Sequence, residues 1–235
     1  MPPIDDWEQG PRHVSKMRAV RIAALRGRGV NPVFDTPRPA DVAALVKDYP
    51  LAWVSARHAG VDGASLLPLV GVYDDRGMLE TLIGHMARAN PLVDLLTADP
   101  RALILFSGPQ GYVSPEHAGT RDWAPTWNYA QLRIEADLLF EPEQTDAALD
   151  ILIEQMERDR PDPWRSSELG ERYAGMRQAI VGFRASVIRL AGRFKLGQDE
   201  SDFTLHRILE SHPDATLVQW MKRLNTEGRK CLASG

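Results

Sequence analysis

Short apolar runs separated by turn-forming residues fill the first half of the chain. The turn at 60–63 contains two glycines, and 74–77 reads Asp-Asp-Arg-Gly, which is typical of β-hairpin connections. Runs of this length predict strands rather than helices. The strands predicted here are Leu51–Ala56, Ser65–Tyr73, Met78–Ile83 and Arg101–Ser107. The first three should form a β-meander.

In the second half of the chain, some segments alternate strictly between apolar and polar residues, and others repeat apolar residues at helical spacing. Apolar and polar residues alternate over Leu132–Phe140, which predicts a half-buried strand, and Ile180–Phe194 predicts a long one. Asn90-Pro91 predicts the start of a helical turn. The predicted helices are Asp41–Tyr49, Glu143–Asp159, Ser167–Gln178, Asp199–Leu209 and Asp214–Leu224. Together these elements predict an α+β, mainly β fold, a barrel of six or seven strands with peripheral helices.

Composition narrows the class of protein. The chain has 235 residues, 43% of them hydrophobic and 26% charged, as in soluble globular proteins. It has no run of the ~18 to 20 apolar residues that a membrane-spanning helix needs, and its acidic start does not resemble a secretory leader. The single cysteine, Cys231, excludes an intramolecular disulfide. We therefore expect a cytoplasmic protein without a membrane partner.

Charge is distributed unevenly along the chain. Residues 1–29 carry six basic and three acidic side chains, so the remainder is acidic and the total is −4. Nucleic-acid affinity depends largely on Lys and Arg, so we expect no direct contact with nucleic acid except through this basic arm. The spacing of residues over Val14–Leu25 predicts a short helix in this arm. It either packs on the protein or a second subunit, or contacts nucleic acid.

The residues permit only some chemistries. Dinucleotide-binding, phosphate-loop, esterase and zinc-protease motifs are absent, and the six histidines show no metal-ligand spacing. Two segments remain, Ile83–Pro91 and Ala124–Tyr129. The first sets glycine, histidine and arginine where a strand is predicted to give way to a helical turn, which suits an anion. The second sets two aromatic rings around an amide. Both segments suit a planar, anionic cofactor, and both are also compatible with packing alone.

The motifs YPLAWVS, LLPLV, IGHMARANP, LILFSGPQGYVSP, APTWNY, IVGF and LAGRFKLGQ, in this order, resemble the PaiB-type family of FMN-binding negative transcriptional regulators. The resemblance covers Asn31–Gln198. It implies a split β-barrel similar to pyridoxamine phosphate oxidase, and a homodimer with FMN between the subunits. The implied division is a basic arm at 1–30, the FMN-binding domain at 31–198 and a helical extension at 199–235.

The resemblance also implies where the cofactor would bind: a strand along the flavin, a cradle near its phosphate, an aromatic rim and a tail segment. The implied cofactor residues are Leu67, Pro68, Leu69, Ile83, Gly84, His85, Arg88, Asn90, Trp127, Asn128, Tyr129, Lys195 and Gln198. Catalytic residues remain unknown, with His85 and His117 as candidates for acid–base work. No metal ligand is implied.

Several positions depart from the family pattern. Leu66 replaces a histidine, and Glu116-His117-Ala118 stands where the family has Ser-Trp-Tyr, so an aromatic pair is lost. Gly197 replaces a serine, and Asp199 and Glu200 replace an amide and a cation. Added carboxylates weaken an anion site, so loss of FMN in this member is an open alternative.

Three functions follow from this comparison. The first is an FMN-binding homodimer with a regulatory role in transcription. The second is a flavin-dependent oxidoreductase of a small molecule, since FMN itself supplies redox chemistry. The third is a haem-binding or haem-degrading split barrel with a histidine ligand.

Overall fold

The computed structural model describes residues 21–22, 32–35 and 37–232, and side chains only within 33–35 and 37–225. The strands are β1 (Arg21–Ile22), β2 (Leu51–His58), β3 (Val61–Tyr73), β4 (Leu79–Ala87), β5 (Arg101–Val113), β6 (Thr126–Phe140) and β7 (Ile180–Lys195). The helices are α1 (Pro39–Asp48), α2 (Leu92–Ala98), α3 (Pro115–Ala118), α4 (Thr145–Glu157), α5 (Arg172–Gln178), α6 (Asp202–Ser211) and α7 (Ala215–Leu232). Short 3-10 turns lie at Pro32–Phe34, Pro142–Gln144 and Ser166–Leu169.

Six strands, β2 to β7, close into an antiparallel barrel. The sheet order is β1-β7-β4-β3-β2-β5-β6, and pairing of β6 with β7 joins the ends. Ala59 and Gly60 adopt φ values of 50° and 81° between β2 and β3, as tight hairpin turns require. Between β3 and β4, Oδ1 of Asp74 accepts hydrogen bonds from the backbone N–H groups of Arg76 (2.9 Å) and Met78 (2.7 Å). The predicted meander is confirmed.

Aromatic side chains tie the barrel to the helices at one end. Phe106, Phe183 and Phe194 are almost fully buried in the core. The ring of Trp220 in α7 lies 6.2 Å from that of Phe194 and 6.3 Å from that of Tyr49, measured between centroids. Thus α7 holds the end of α1 against the barrel. None of the described helices is long and apolar enough to cross a membrane.

The predicted strand Met78–Ile83 ends too early, because β4 continues to Ala87. Gly84 is an interior strand position rather than the end of a strand. A Cβ atom at Gly84 would lie 2.7 Å from both Leu69 Cδ2 and Phe183 Cζ. The glycine therefore makes room for side chains inside the barrel, which a turn-based interpretation of the sequence misses.

We expect Gly84→Ala to lower the free energy of unfolding by about 1–3 kcal/mol, because the added methyl group overpacks a filled interior. Urea unfolding measures this change. Gly175→Ala is the matched control, since Gly175 lies in α5 with nothing within 4 Å of an added Cβ. The control should be neutral or stabilising by up to about 1 kcal/mol. Unchanged stability of Gly84→Ala would contradict this packing account.

Other element boundaries also differ from the predictions. The helix predicted over Ser167–Gln178 is interrupted, because Gly170 adopts a φ of 55° between a 3-10 turn and α5. The strand predicted over Arg101–Ser107 continues through an irregularity between Ser107 and Gln110. Strands β3 and β6 begin earlier than predicted, at Val61 and Thr126. The predicted terminal helices are confirmed as α6 and α7.

The helix predicted over Val14–Leu25 lies outside the described residues except at two positions. There the prediction is wrong, because Arg21 and Ile22 form a strand parallel to β7. They pair with Arg189 and Leu190, beyond the last residue of β7 that pairs with β4. An unpaired strand edge favours such an addition.

Candidate functional site

Strands β3 and β4 separate partway along their length. Their pairing runs from Tyr73 and Leu79 to Leu69 and Gly84, and it stops there. Beyond that point β3 pairs with β2, and the end of β4 pairs with β7. The barrel wall is therefore open between residues 61–68 of β3 and 85–87 of β4. We call this opening the split.

Five predicted cofactor residues lie where the split begins, but they face different ways. Leu67 and Leu69 are 8% and 0% exposed and belong to the core, and Gly84 faces the same interior. Ile83 is also buried. Pro68 faces outward, because successive side chains of a strand alternate. Four of the five therefore build the wall, and Pro68 lies on its outer surface.

His85 lies on the outer side of β4, at the split. It pairs with Gly182 of β7, where an added Cβ would lie 2.9 Å from Thr145 Cα at the start of α4. Nδ1 of His85 is buried without a hydrogen-bond partner among the described residues. Burial lowers the pKa of His85 below its ordinary value of 6.5, so the ring is neutral at pH 7. The described residues thus leave this buried ring nitrogen unsatisfied.

Arg88 follows β4 and has a fixed position. Its backbone N–H donates to the carbonyl of Ala179 (2.9 Å), and its Nε donates to the carbonyl of Gln178 (3.1 Å). Within the part of the chain that the structure describes, no carboxylate pairs with Arg88. The carbonyl of Ala179 therefore fixes the backbone of Arg88, and that of Gln178 orients an exposed guanidinium whose terminal nitrogens have no partner among the described residues, which suits a phosphate.

Asn90 connects the two sides of the split. Its Nδ2 donates to Ser65 Oγ of β3 (2.9 Å), and its Oδ1 accepts from the backbone N–H of Leu92 (3.0 Å). The loop after β4 thus runs from Arg88, beside β7, to Asn90, beside β3. Asn90 fixes the width of the split rather than offering a free group.

The other predicted cofactor residues lie far from the split in the same chain. Tyr129 pairs with Lys195 near the end of β7, whereas His85 pairs with Gly182 near its beginning. From Gly182 to Lys195 the extended strand covers about 40 Å. We call Trp127, Tyr129 and Lys195 the distal group, which lies at the opposite end of β7 from the split.

Two of the predicted residues near the distal group are engaged within the chain. Asn128 is 3% exposed, and its Nδ2 donates to Met221 Sδ (3.5 Å) in α7. Gln198 Oε1 accepts from the backbone N–H of Leu196 (2.7 Å). Both side chains anchor the C-terminal helices and their connection. A cofactor role for them stays a prediction.

Glu200, one of the acidic residues that depart from the family pattern, accepts a hydrogen bond within the chain. Trp123 Nε1 donates to Glu200 Oε2 (3.0 Å), which joins the loop before β6 to the segment before α6. Gly197 adopts a φ of 85°, and an added Cβ would lie 3.1 Å from Met221 Cε. These substitutions lie beside the distal group and not beside Arg88.

His117 lies outside the split, and its side chain caps the N-terminus of helix α3. Its Nδ1 accepts from the backbone N–H of Ser114 (3.2 Å), and its ring contacts that of His212 at 4.8 Å. This nitrogen is committed to the cap, so His85 is the better acid–base candidate. Among the described residues, no group of three or more His, Cys, Asp or Glu side chains could hold a metal.

Sequence reasoning missed three parts of the site. Ser65 holds Asn90, and the carbonyls of Gln178 and Ala179 position Arg88. Backbone carbonyls carry no sequence signal. Ser65 could have been found only from its register opposite the loop after β4.

The chain is similar in sequence to known proteins. Residues 30–189 match a family model described as "Putative FMN-binding domain". The protease synthase and sporulation protein PAI 2 of Bacillus subtilis is 28% identical over 132 residues, which span 55% of this chain and 63% of that protein. An uncharacterized protein of Emericella nidulans is 28% identical over 188 residues, 65% of this chain and 70% of that protein.

The fold has relatives among solved structures. The FAD and heme binding protein from Mycobacterium smegmatis superposes with a TM-score of 0.54 at 16% identity, covering 75% of this chain and 80% of that one. At this identity the likeness shows the fold, a split β-barrel. Because the family model matches more than half of the chain, the protein belongs to this family of FMN-binding domains.

Proposed function

We propose that the protein is a homodimer that binds FMN at the split, with the cofactor phosphate on Arg88. The residues at the split fit that group. Arg88 offers a positioned, unpaired guanidinium, and His85 offers a buried Nδ1 without a partner. An anionic cofactor with hydrogen-bonding ring edges would satisfy both. The free terminal nitrogens of Arg88 are the observation that carries the proposal.

The separation of the distal group from the split supports a composite site. About 40 Å of β7 lies between them in one chain, so a single FMN reaches both only if two chains contribute. In a two-fold dimer, the split of one protomer faces the distal group of its partner, and two equal sites form. Trp127 and Tyr129 then lie at the rim of the site in which Arg88 holds the flavin.

An exposed apolar row supplies a surface for this dimer. Leu66, Trp53 and Leu105 stand opposite one another on β3, β2 and β5, and they are 47%, 52% and 39% exposed. Beside this row lies a groove of about 740 Å³ whose floor includes Ser55 and Ala64. Charged side chains, among them Arg57, Asp62, Arg133 and Glu135, also line this groove, so a two-fold axis through the apolar row would bury the two rows against each other and leave the charged groove at the rim. A second copy of the chain is the occupant that we propose.

Trp53→Glu should convert the dimer to monomers, because a carboxylate in an apolar contact is left without a partner. We expect at least a hundredfold weaker association by analytical ultracentrifugation, with the protomer fold retained. Leu139→Glu is the control, since Leu139 is 58% exposed but lies on β6 outside the row. A wild-type protein that is monomeric at micromolar concentration would overturn the dimer.

A regulatory role is our first proposal for the biological output. It rests on the resemblance to PaiB-type regulators and on the similarity to the sporulation protein of Bacillus subtilis. The acidic body argues that regulation does not require DNA contact by the barrel. We place the protein in the cytoplasm because its single cysteine suits a reducing compartment.

Flavin-dependent oxidation or reduction of a small molecule is the second candidate, favoured by the neutral ring of His85. FMN supplies the redox chemistry, and His85 would hold or move a proton at Nδ1. The absorption spectrum of the isolated protein, with acid release of the chromophore, tests FMN directly. A haem spectrum would instead support the third function. Turnover with an electron donor separates the oxidoreductase from the regulator.

A further inference from the structure

The irregularity in β5 leaves a hollow on the outer face of the barrel. Pairing of β5 with β6 shifts between Ser107 and Gln110, around Gly108-Pro109. Proline cannot donate to a strand ladder, and a Cβ at Gly108 would lie 2.9 Å from Leu45 Cδ1, so the chain bends inward here. The hollow encloses about 280 Å³. This volume is slightly below the ~300 Å³ of the smallest pockets for drug-sized ligands and suits one small ring.

The lining of the hollow is aromatic and polar but carries no charged side chain. It consists of Ser107, Gly108, Gln110, Trp127, Tyr129, Ala130 and Gln131. Ser107, Gln110 and Gln131 are exposed, and among the described residues their side chains make no hydrogen bond. Three hydrogen-bonding side chains without a partner among the described residues thus line the hollow together with two aromatic rings.

The neighbouring cations are already engaged. Arg193 donates from Nε to Tyr129 Oη (3.2 Å) and from Nη1 to Asp35 (2.7 Å). Lys195 donates from Nζ to the backbone oxygen of Trp127 (3.1 Å). Since Tyr129 Oη accepts from Arg193, its own proton is free to be donated. The hollow therefore favours a neutral ligand that offers hydrogen-bond acceptors and donors at the edge of a flat ring.

We propose that this hollow binds a small uncharged planar ring with an amide-type hydrogen-bonding edge. Trp127 and Tyr129 contact its faces, and Gln110 and Gln131 read its edge. The proposal rests on the proposed function in one respect: in the composite dimer, the hollow lies beside the flavin held by the partner. The ring is then the second ligand of that site.

Nicotinamide is the probe, and titration followed by tryptophan fluorescence and by calorimetry is the measurement. We expect a dissociation constant on the order of 1 mM, as for a well-seated fragment of this size. Cyclohexanecarboxamide keeps the amide but not the flat ring, and it should bind at least tenfold more weakly. Nicotinate keeps the ring but carries a charge, and it should also bind more weakly.

Variants separate this pocket from the rest of the protein. Gln131→Leu should weaken nicotinamide at least tenfold, and Trp127→Ala should abolish its binding, whereas Gln155→Leu on α4 should change nothing. Stronger binding of nicotinate than of nicotinamide, or equal binding of cyclohexanecarboxamide, would overturn the proposal. Titrations with and without FMN distinguish the two claims. If FMN binds but nicotinamide does not, this inference alone fails; if nicotinamide binds but FMN does not, the proposed function alone fails.

Discussion

Asp41→Ala is expected to lower the free energy of unfolding by about 3 kcal/mol, the largest stability loss that we predict for a single side chain. Asp41 is fully buried in α1 and accepts hydrogen bonds from Arg38 (2.7 and 2.9 Å) and from Arg223 of α7 (2.9 Å). Removing one partner of a buried ion pair costs about 3–5 kcal/mol. The lower end applies, because both arginines are partly exposed and can regain water. Thermal unfolding should show a melting temperature lower by about 10 °C.

The contacts of Asp41 with Arg38 and Arg223 also predict that the stability of the fold depends on pH. Burial opposes ionisation of Asp41, but hydrogen bonds and charge from Arg38 and Arg223 outweigh it, so the pKa of Asp41 is held below 3.8. Its contribution is therefore complete at neutral pH and is lost only as the pH falls from 3.8 through the lowered pKa of the folded state. Asp48→Ala, an exposed change on the same helix, is the control. If Asp41→Ala unfolds with the wild-type melting temperature, the contacts of Asp41 with Arg38 and Arg223 do not stabilise the fold.

Arg88→Ala is expected to weaken FMN binding by roughly 10- to 150-fold. A hydrogen bond between a guanidinium and a phosphate contributes about 1.5–3 kcal/mol, and this ratio of affinities is its equivalent. Fold and dimer should be unaffected, because Arg88 is exposed and, among the described residues, its guanidinium hydrogen-bonds only to the carbonyl of Gln178. Titration of the flavin-free protein by flavin fluorescence measures the change.

Riboflavin is the control ligand, since it lacks the phosphate and should lose much less affinity in Arg88→Ala. Arg76→Ala is the control variant, since Arg76 is also an exposed arginine for which no ion pair is described. Equal losses for FMN and riboflavin would show that Arg88 does not bind the phosphate. Binding of FMN by neither protein would mean that this family member has lost its cofactor.

The barrel could be predicted from sequence because alternation and turn residues are local signals. Leu132–Phe140 alternates as a half-buried strand must, and Asp74 and Gly77 set the turn between β3 and β4. Gly84 was wrongly assigned to the end of a strand, because the reason for a glycine at this position is not local in the sequence. It accommodates Leu69 and Phe183, which come from two other strands. Glycine in a strand and glycine in a turn look alike until the partners are known.

The site was predicted in part for the same reason. Arg88 could be proposed from residue type and resemblance, but the carbonyls of Gln178 and Ala179 that position it carry no sequence signal. Asn128 suggested a cofactor contact, yet its amide bonds to Met221, a contact between residues far apart in the chain. The separation of Trp127 from the split follows from strand register. Only the closed barrel reveals that the two halves of the predicted site lie apart.

Mixing two binding-deficient variants tests the composite site most directly. Arg88→Ala removes the cation at the split, and Trp127→Ala removes an aromatic ring of the distal group. In a heterodimer of these variants, one composite site receives both changes and the other receives neither. We therefore predict that differently tagged heterodimers, purified after co-expression, bind one FMN per dimer with wild-type affinity. If each site lies within one chain, both sites carry a defect, and heterodimers without a wild-type FMN site would contradict the account.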